Sequence, residues 1–177
     1  VLARCVNTGT ITAGRAAGVG GIAGRLDGGS ITVTQCANQG AVSNDTAASL
    51  LRRGGTGGIA GLAVSGSITI DRCYNTGAVS GHTIVGGILG GESGDYAASI
   101  PSYTGNSALV VQNCYNAGSL RTGSSTERIG SLAGYPLDGR YRDGLTVLHG
   151  AARARLGSRS RPGVSVGQCA TLTPDVL

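Results

Sequence analysis

Lysine, phenylalanine, methionine and tryptophan are all missing from this chain of 177 residues, and only 6 tyrosines and 4 prolines occur. Without a lysine amine there is neither a Schiff-base nucleophile nor the lysine of a P-loop nucleotide site. Without large aromatics, a core of the usual globular kind is not expected. What is left to fill an interior is Ala, Val, Ile and Leu, set among 33 glycines. Glycine-rich chains are often disordered, but disorder goes with low hydrophobicity, and here β-branched residues return at ordered positions. No apolar run approaches the roughly 20 residues that span a bilayer, so no transmembrane segment is expected. No signal peptide precedes Val1, and the missing initiator methionine reads as a mature or excised segment. All 14 basic residues are arginine. Four of them (Arg153, Arg155, Arg159 and Arg161) crowd one stretch without acids, so the net charge of +5 is largely local.

A repeat runs through what is present. The string C-x-N-x-G-x-[VIL] begins at Cys5, Cys36, Cys73 and Cys114, with a degraded copy at Cys169. Between the cysteines comes GGIAG or a variant: Gly20 to Gly24, Gly57 to Gly61, Gly86 to Gly90 and Gly130 to Gly134. Ile31, Ile68, Leu109 and Val164 each stand five positions before a cysteine. SITVTQ, SITIDR and ALVVQN have the β-branched alternation of strands, and the glycine clusters mark corners. Self-similarity of this period points to a solenoid in which one repeat is one turn. The fold expected is all-β, a parallel β-solenoid or β-helix of four to five coils with three short strands per coil, forming one domain over 1–177.

Unequal spacing locates insertions. The isoleucine of GGIAG stands 14 residues before the next cysteine in the first two repeats, 26 in the third and 37 in the fourth. Loop insertions are therefore expected near 44–55, 92–103 and 135–162, and in solenoids such loops often build a binding face. Parallel stacking at about 4.8 Å turns each repeat position into a column of like residues. Ile22, Ile59, Ile88 and Leu132 should form one buried row, and Cys36, Cys73 and Cys114 another.

GGIAG, GSIT and CYNTGAVSG resemble the GLUG-type repeats of large bacterial surface proteins, among them immunoglobulin A-cleaving metalloproteases and adhesin-like proteins. The resemblance covers roughly 1–134 well and 164–177 weakly. It implies a β-solenoid at the cell surface with an accessory, structural role, and it carries over no catalytic residue. The zinc motif H-E-x-x-H of those proteases is missing, since neither His82 nor His149 is followed by Glu.

Each polar feature has a plain structural account. Cysteines at one repeat position would stack too far apart for disulfides, and no C-x-x-C pair starts a zinc site, so a buried thiol column is expected. Asn7, Asn38, Asn75 and Asn116 read as an internal ladder at a corner where Asn adopts left-handed backbone angles. GVGGIAG lacks the following helix that a phosphate cradle needs. Glu92 and Asp95, with Asp71 one coil below, are the acids best placed for a carboxylate pair 5 to 10 Å apart, such as polysaccharide-cleaving enzymes use. The threonines Thr32 and Thr69 form an incomplete array because Val110 follows Leu109. Tyr74 and Tyr115 should stack on the outside, within reach of a glycan. The arginine-rich stretch lacks interleaved aromatics, so no nucleic-acid partner is expected, and it reads as a flap over the coil end. Asn44-Asp45-Thr46 is a glycosylation sequon in form.

No residue is therefore assigned as catalytic, cofactor-binding or metal-binding, and no cofactor is expected. The function expected is that of an extracellular or cell-surface structural or adhesive module, not an enzyme. It would act as scaffold, spacer or filament-forming unit. Its expected partners are neighbouring domains of a larger protein, a second copy end to end, or glycans. The alternative is a polysaccharide-active β-helix enzyme with loop carboxylates.

Overall fold

The structure is a computed structural model that describes residues 1–14, 16–44, 55–82, 84–92, 106–123, 128–134, 145–148 and 151–152. The described residues are all-β, and every pairing between strands is parallel. From Cys5 onward the chain runs through β2 (Val6–Asn7), β3 (Ile11–Ala13), β4 (Gly18–Gly20) and the long β5 (Ala23–Thr34). It then repeats this circuit as β6 (Ala37–Asn38), β7 (Val42–Asn44), β8 (Gly55–Gly57) and β9 (Ala60–Asp71). The third circuit is β10 (Tyr74–Asn75), β11 (Val79–Gly81), β12 (Ile84–Gly86), β13 (Leu89–Glu92) and β14 (Asn106–Gln112). β15 (Tyr115–Asn116), β16 (Leu120–Thr122) and β17 (Arg128–Gly130) follow, then β18 (Leu145–Leu148) and β19 (Ala151–Ala152).

Each strand pairs with its counterpart one circuit away. Together with β1 (Leu2–Ala3), the strands form a 6-stranded sheet ordered β1-β5-β9-β14-β18 with β13 also on β9. A 5-stranded sheet runs β2-β6-β10-β15-β19, and two 4-stranded sheets run β3-β7-β11-β16 and β4-β8-β12-β17. Parallel strands in stacked sheets are consistent with a β-helix or solenoid. Among the described residues no helix is long and apolar enough to cross a membrane.

Each repeat is divided among four sheets, not the three strands expected from its three strings. The reason lies within the strings. Asn-x-Gly interrupts C-x-N-x-G-x-[VIL], so Ala37–Asn38 and Val42–Asn44 belong to different sheets. Gly-Gly interrupts the second string in the same way, separating Gly55–Gly57 from Ala60–Asp71. The GGIAG and SITVT strings, by contrast, merge into one 12-residue strand that bends where Gly28, Gly29 and Gly66 take positive φ. Only glycine adopts those angles without strain.

The stretch expected as the last insertion contributes paired strands. Leu145 pairs with Leu109, and Ala151 and Ala152 pair with Tyr115 and Asn116. Rungs are thus supplied from within 135–162, where Leu145 precedes Ala151 by the same interval as Leu109 precedes Tyr115. Val164 and Cys169 lie outside the described residues, as do most of the expected insertions near 44–55 and 92–103.

The interior is apolar in two compartments. One contains Val33, Cys36, Ile59, Ile68, Ile70, Cys73, Ile88, Leu109, Val111, Cys114 and Leu132. The other is Val19, Val42, Val79 and Val85. Both expected rows are present, and successive backbones bind along the isoleucine row: Ile22 N–H donates to Ile59 O, Ile59 N–H to Ile88 O, and Ile88 N–H to Leu132 O. Ile22 is only half-buried, since no earlier strand in the described residues covers it.

Glycine is required where the sheets come closest. A Cβ on Gly58 would overlap the Gly87 carbonyl oxygen and the Asn75 carboxamide, whereas one on Gly14 meets nothing within 4 Å. Gly58→Ala should therefore cost more than about 4 kcal/mol or prevent folding, and Gly14→Ala should stay within about 0.5 kcal/mol. Urea midpoints measure both, and equal midpoints would refute the close approach.

Candidate functional site

The asparagine column is a continuous ladder. Nδ2 of Asn7 donates to Oδ1 of Asn38 at 2.7 Å, Asn38 to Asn75 at 2.6 Å, and Asn75 to Asn116 at 2.7 Å. The second Nδ2 hydrogen of each goes to the carbonyl two residues on: Gly9, Gly40, Gly77 and Gly118. Asn38, Asn75 and Asn116 are buried, so these bonds are what makes their burial tolerable. The ladder stands at the boundary of the two apolar compartments, facing Gly21, Gly58 and Gly87. None of the four asparagines has positive φ, contrary to the expectation for this corner. The left-handed residues are Arg4, Gln35, Arg72 and Asn113, each immediately before a cysteine. Their mixed types hide the position in the sequence, and only Asn113 has the side chain typical of that conformation.

Among the described residues Cys5, Cys36, Cys73 and Cys114 are free, and the last three are buried. The thiols of Cys73 and Cys114 each accept from the preceding circuit and donate to the carbonyl two residues back. Cys73 Sγ accepts from Cys36 N–H at 3.4 Å and donates to Asp71 O at 3.3 Å, and Cys114 Sγ accepts from Cys73 N–H at 3.4 Å and donates to Gln112 O at 3.0 Å. The bond to Cys114 and burial push the Cys73 thiol far up, and burial raises Cys36, while the bond with Cys73 lowers Cys114. Buried thiols whose sulfur already holds hydrogen-bond partners are poorly accessible as nucleophiles or metal ligands. Among the described residues no group of three or more His, Cys, Asp or Glu is placed to hold a metal ion.

A polar cluster centred on the buried Asp71 lies at the corner around the third and fourth cysteines. Asp71 accepts from Asn113 Nδ2 at 2.8 Å and from Arg72 Nε at 2.7 Å. Burial alone would raise the Asp71 carboxyl, but the bonds from Asn113 and Arg72 and the Arg72 charge outweigh it and hold it below its ordinary value. The rings of Tyr74 and Tyr115 stack at 5.2 Å with 5° between their planes. Burial and then Tyr74 raise the Tyr115 hydroxyl. Gln39 Nε2 donates to the Tyr74 hydroxyl at 3.4 Å, so the pair is a two-ring aromatic platform with an amide at its edge, a surface suited to holding a polar ligand with apolar faces.

Other expected residues are not brought together. Glu92 pairs with Ala63, at the opposite end of β9 from Asp71, with the Gly66 bend between. Asp95, His149 and the arginines from Arg153 onward lie outside the described residues. The His82 carbonyl accepts from Thr122 Oγ1 at 3.1 Å. Asn44 is buried and its Nδ2 donates to Ala16 O, so this amide is not presented as a glycosylation acceptor. The incomplete array has its predicted register, Thr32 to Thr69 to Val110.

No protein-family model, no curated protein and no solved structure matches this chain.

Two outcomes follow from the site chemistry. A carboxyl held below its ordinary value stabilises the fold fully above the unfolded value of about 3.9 and loses that contribution as pH falls through the lower folded value. Asp71→Asn should therefore lower the urea midpoint near pH 7, and the difference from the parent should vanish near pH 2. A difference independent of pH would mean that charge is not involved. In the native state Cys36, Cys73 and Cys114 should react with a small alkylating reagent at least about 100-fold more slowly than in urea, with Cys5 faster than all three. Prompt labelling of the three would contradict the buried column.

Proposed function

We propose that the chain is a β-solenoid of four to five coils that serves as an extracellular or cell-surface structural module. It acts as scaffold, spacer or adhesive unit within a larger protein of the GLUG-repeat type. The observation that carries this reading is the in-register stacking of like residues along four parallel sheets, Asn on Asn, Cys on Cys and Ile on Ile. Repeated polar groups here spend their hydrogen bonds on one another, which is the economy of a scaffold and not of a reaction centre. Adhesion is assigned to the Tyr74–Tyr115 platform, with glycans as the ligand class, because sugar rings present apolar faces to aromatic rings and hydroxyls to an edge amide such as Gln39.

The test separates a scaffold from a polysaccharide-cleaving enzyme. The parent chain and the Glu92→Ala, Asp95→Ala double variant are incubated with a panel of polysaccharides, and products are followed by chromatography and folding by circular dichroism. No cleavage by either chain is expected, with identical spectra. Cleavage by the parent that disappears in the folded double variant would overturn the scaffold assignment.

A further inference from the structure

Two corners of the stack are tied to one carboxylate. Arg72 and Asn113 both take left-handed backbone angles, φ 52° and 53°. Each stands two residues before a ring of the aromatic pair, Arg72 before Tyr74 and Asn113 before Tyr115. Arg72 Nε donates to Asp71 Oδ2 at 2.7 Å, and Asn113 Nδ2 reaches across from the next circuit to Asp71 Oδ1 at 2.8 Å. Both oxygens of this buried carboxylate are therefore engaged, one by each corner. The preceding circuit provides an internal comparison. There Thr34 is the in-register partner of Asp71, Gln35 holds the left-handed corner with φ 54°, and Ala37 is the partner of Tyr74. Thr34 Oγ1 is buried without a hydrogen-bond partner among the described residues, so it does not tie down the Gln35 corner. Arg4 adopts the same angles with Ala3 at that position. The left-handed turn thus forms without a carboxylate, and the carboxylate stands where the rings do.

We infer that Asp71 is a positioning residue for the tyrosine pair: its carboxylate fixes the corners of two successive circuits relative to each other and so holds Tyr74 and Tyr115 in stacking geometry. The rings are parallel to within 5° at a centroid distance of 5.2 Å. Backbone pairing of Tyr74 with Tyr115 and of Asn75 with Asn116 places their Cα atoms, in strands only 2 residues long. The tilt of each ring then depends on the corner that feeds its strand. A rotation at Arg72 is carried through Cys73 into Tyr74, and one at Asn113 through Cys114 into Tyr115. With both corners donating to one buried acceptor, neither rotates alone without leaving a carboxylate oxygen unpaired in the interior. Because Gln35 and Arg4 take the same conformation without such a bond, the role of Asp71 is separate from forming the corner itself. Its consequence for glycan binding rests on the reading of the pair as an adhesive platform, whereas the ring geometry does not.

Two variants of the full chain test this. Asp71→Thr installs the residue that the preceding circuit already carries at this position, and Asn113→Gly removes one donor while keeping left-handed angles accessible. The readout is the tyrosine exciton couplet in circular dichroism, taken as the difference between each chain and the same chain carrying Tyr115→Leu. Folding is followed by the urea transition. The couplet should fall at least about threefold in Asp71→Thr and about twofold in Asn113→Gly, each with cooperative unfolding, and should be unchanged in Thr34→Ala. Calorimetric titration with cellopentaose and chitopentaose should show affinity at least about fivefold weaker for Asp71→Thr than for the parent. A full couplet in either folded variant would overturn the inference, as would an equal loss in Thr34→Ala. Should Asp71→Thr fail to fold, Asn113→Gly decides alone. A parent chain that binds neither oligosaccharide, while the couplet still follows Asp71, would count against the glycan reading and leave the positioning role in place, so the two failures are distinguishable.

Discussion

The asparagine ladder, and the glycine clearance that admits it, is the constraint on which the rest of the stack depends. A buried carboxamide is tolerable only when its donors and its acceptor are all used. Here each is used by the same residue one circuit away and by a glycine carbonyl two positions along. That arrangement permits no slippage. Moving one circuit by a single residue would bring Asn38 against the wrong backbone and strand three polar groups in the interior. The facing glycines enforce the same register from the other side, since any side chain at Gly21, Gly58 or Gly87 would collide with an asparagine.

Around that fixed line the remaining columns need less specificity. The isoleucine row and the Val19, Val42, Val79 and Val85 cluster fill space with small branched side chains, consistent with a chain that carries no Phe, Met or Trp. The thiols behave as small apolar groups that also bridge backbone groups of adjacent circuits. Among the described residues, polar groups on the outside include the exposed Arg25 and Asp27 pair with Ser65, Arg72 on the buried Asp71, and Gln39 on the tyrosine pair.

The same ladder gives the stack a direction. Its carboxamides donate one way only, from Asn7 to Asn38 to Asn75 to Asn116. Backbone N–H groups of the same turns donate the other way, Ala37 to the Cys5 carbonyl and Gln39 to the Asn7 carbonyl. Each rung therefore has one orientation in which all of these bonds form together.

Sequence periodicity by itself determined the parallel stacking, the identity of the asparagine, cysteine and isoleucine columns and the pairing of Tyr74 with Tyr115. In a stacked fold each residue's chief neighbour is its own repeat equivalent, so a one-dimensional pattern already contains the contact. Where equivalence breaks down, only the tertiary structure decided. The division into four sheets depends on how sharply Asn-x-Gly and Gly-Gly bend the chain. The left-handed corner falls on Arg4, Gln35, Arg72 and Asn113, which share a conformation and no chemistry. The rung paired with Asn116 is Ala152, from a stretch whose residue types do not repeat the column. The Asp71 cluster joins Asn113 to an acid 42 residues earlier, a contact between different repeat positions that no column of like residues predicts.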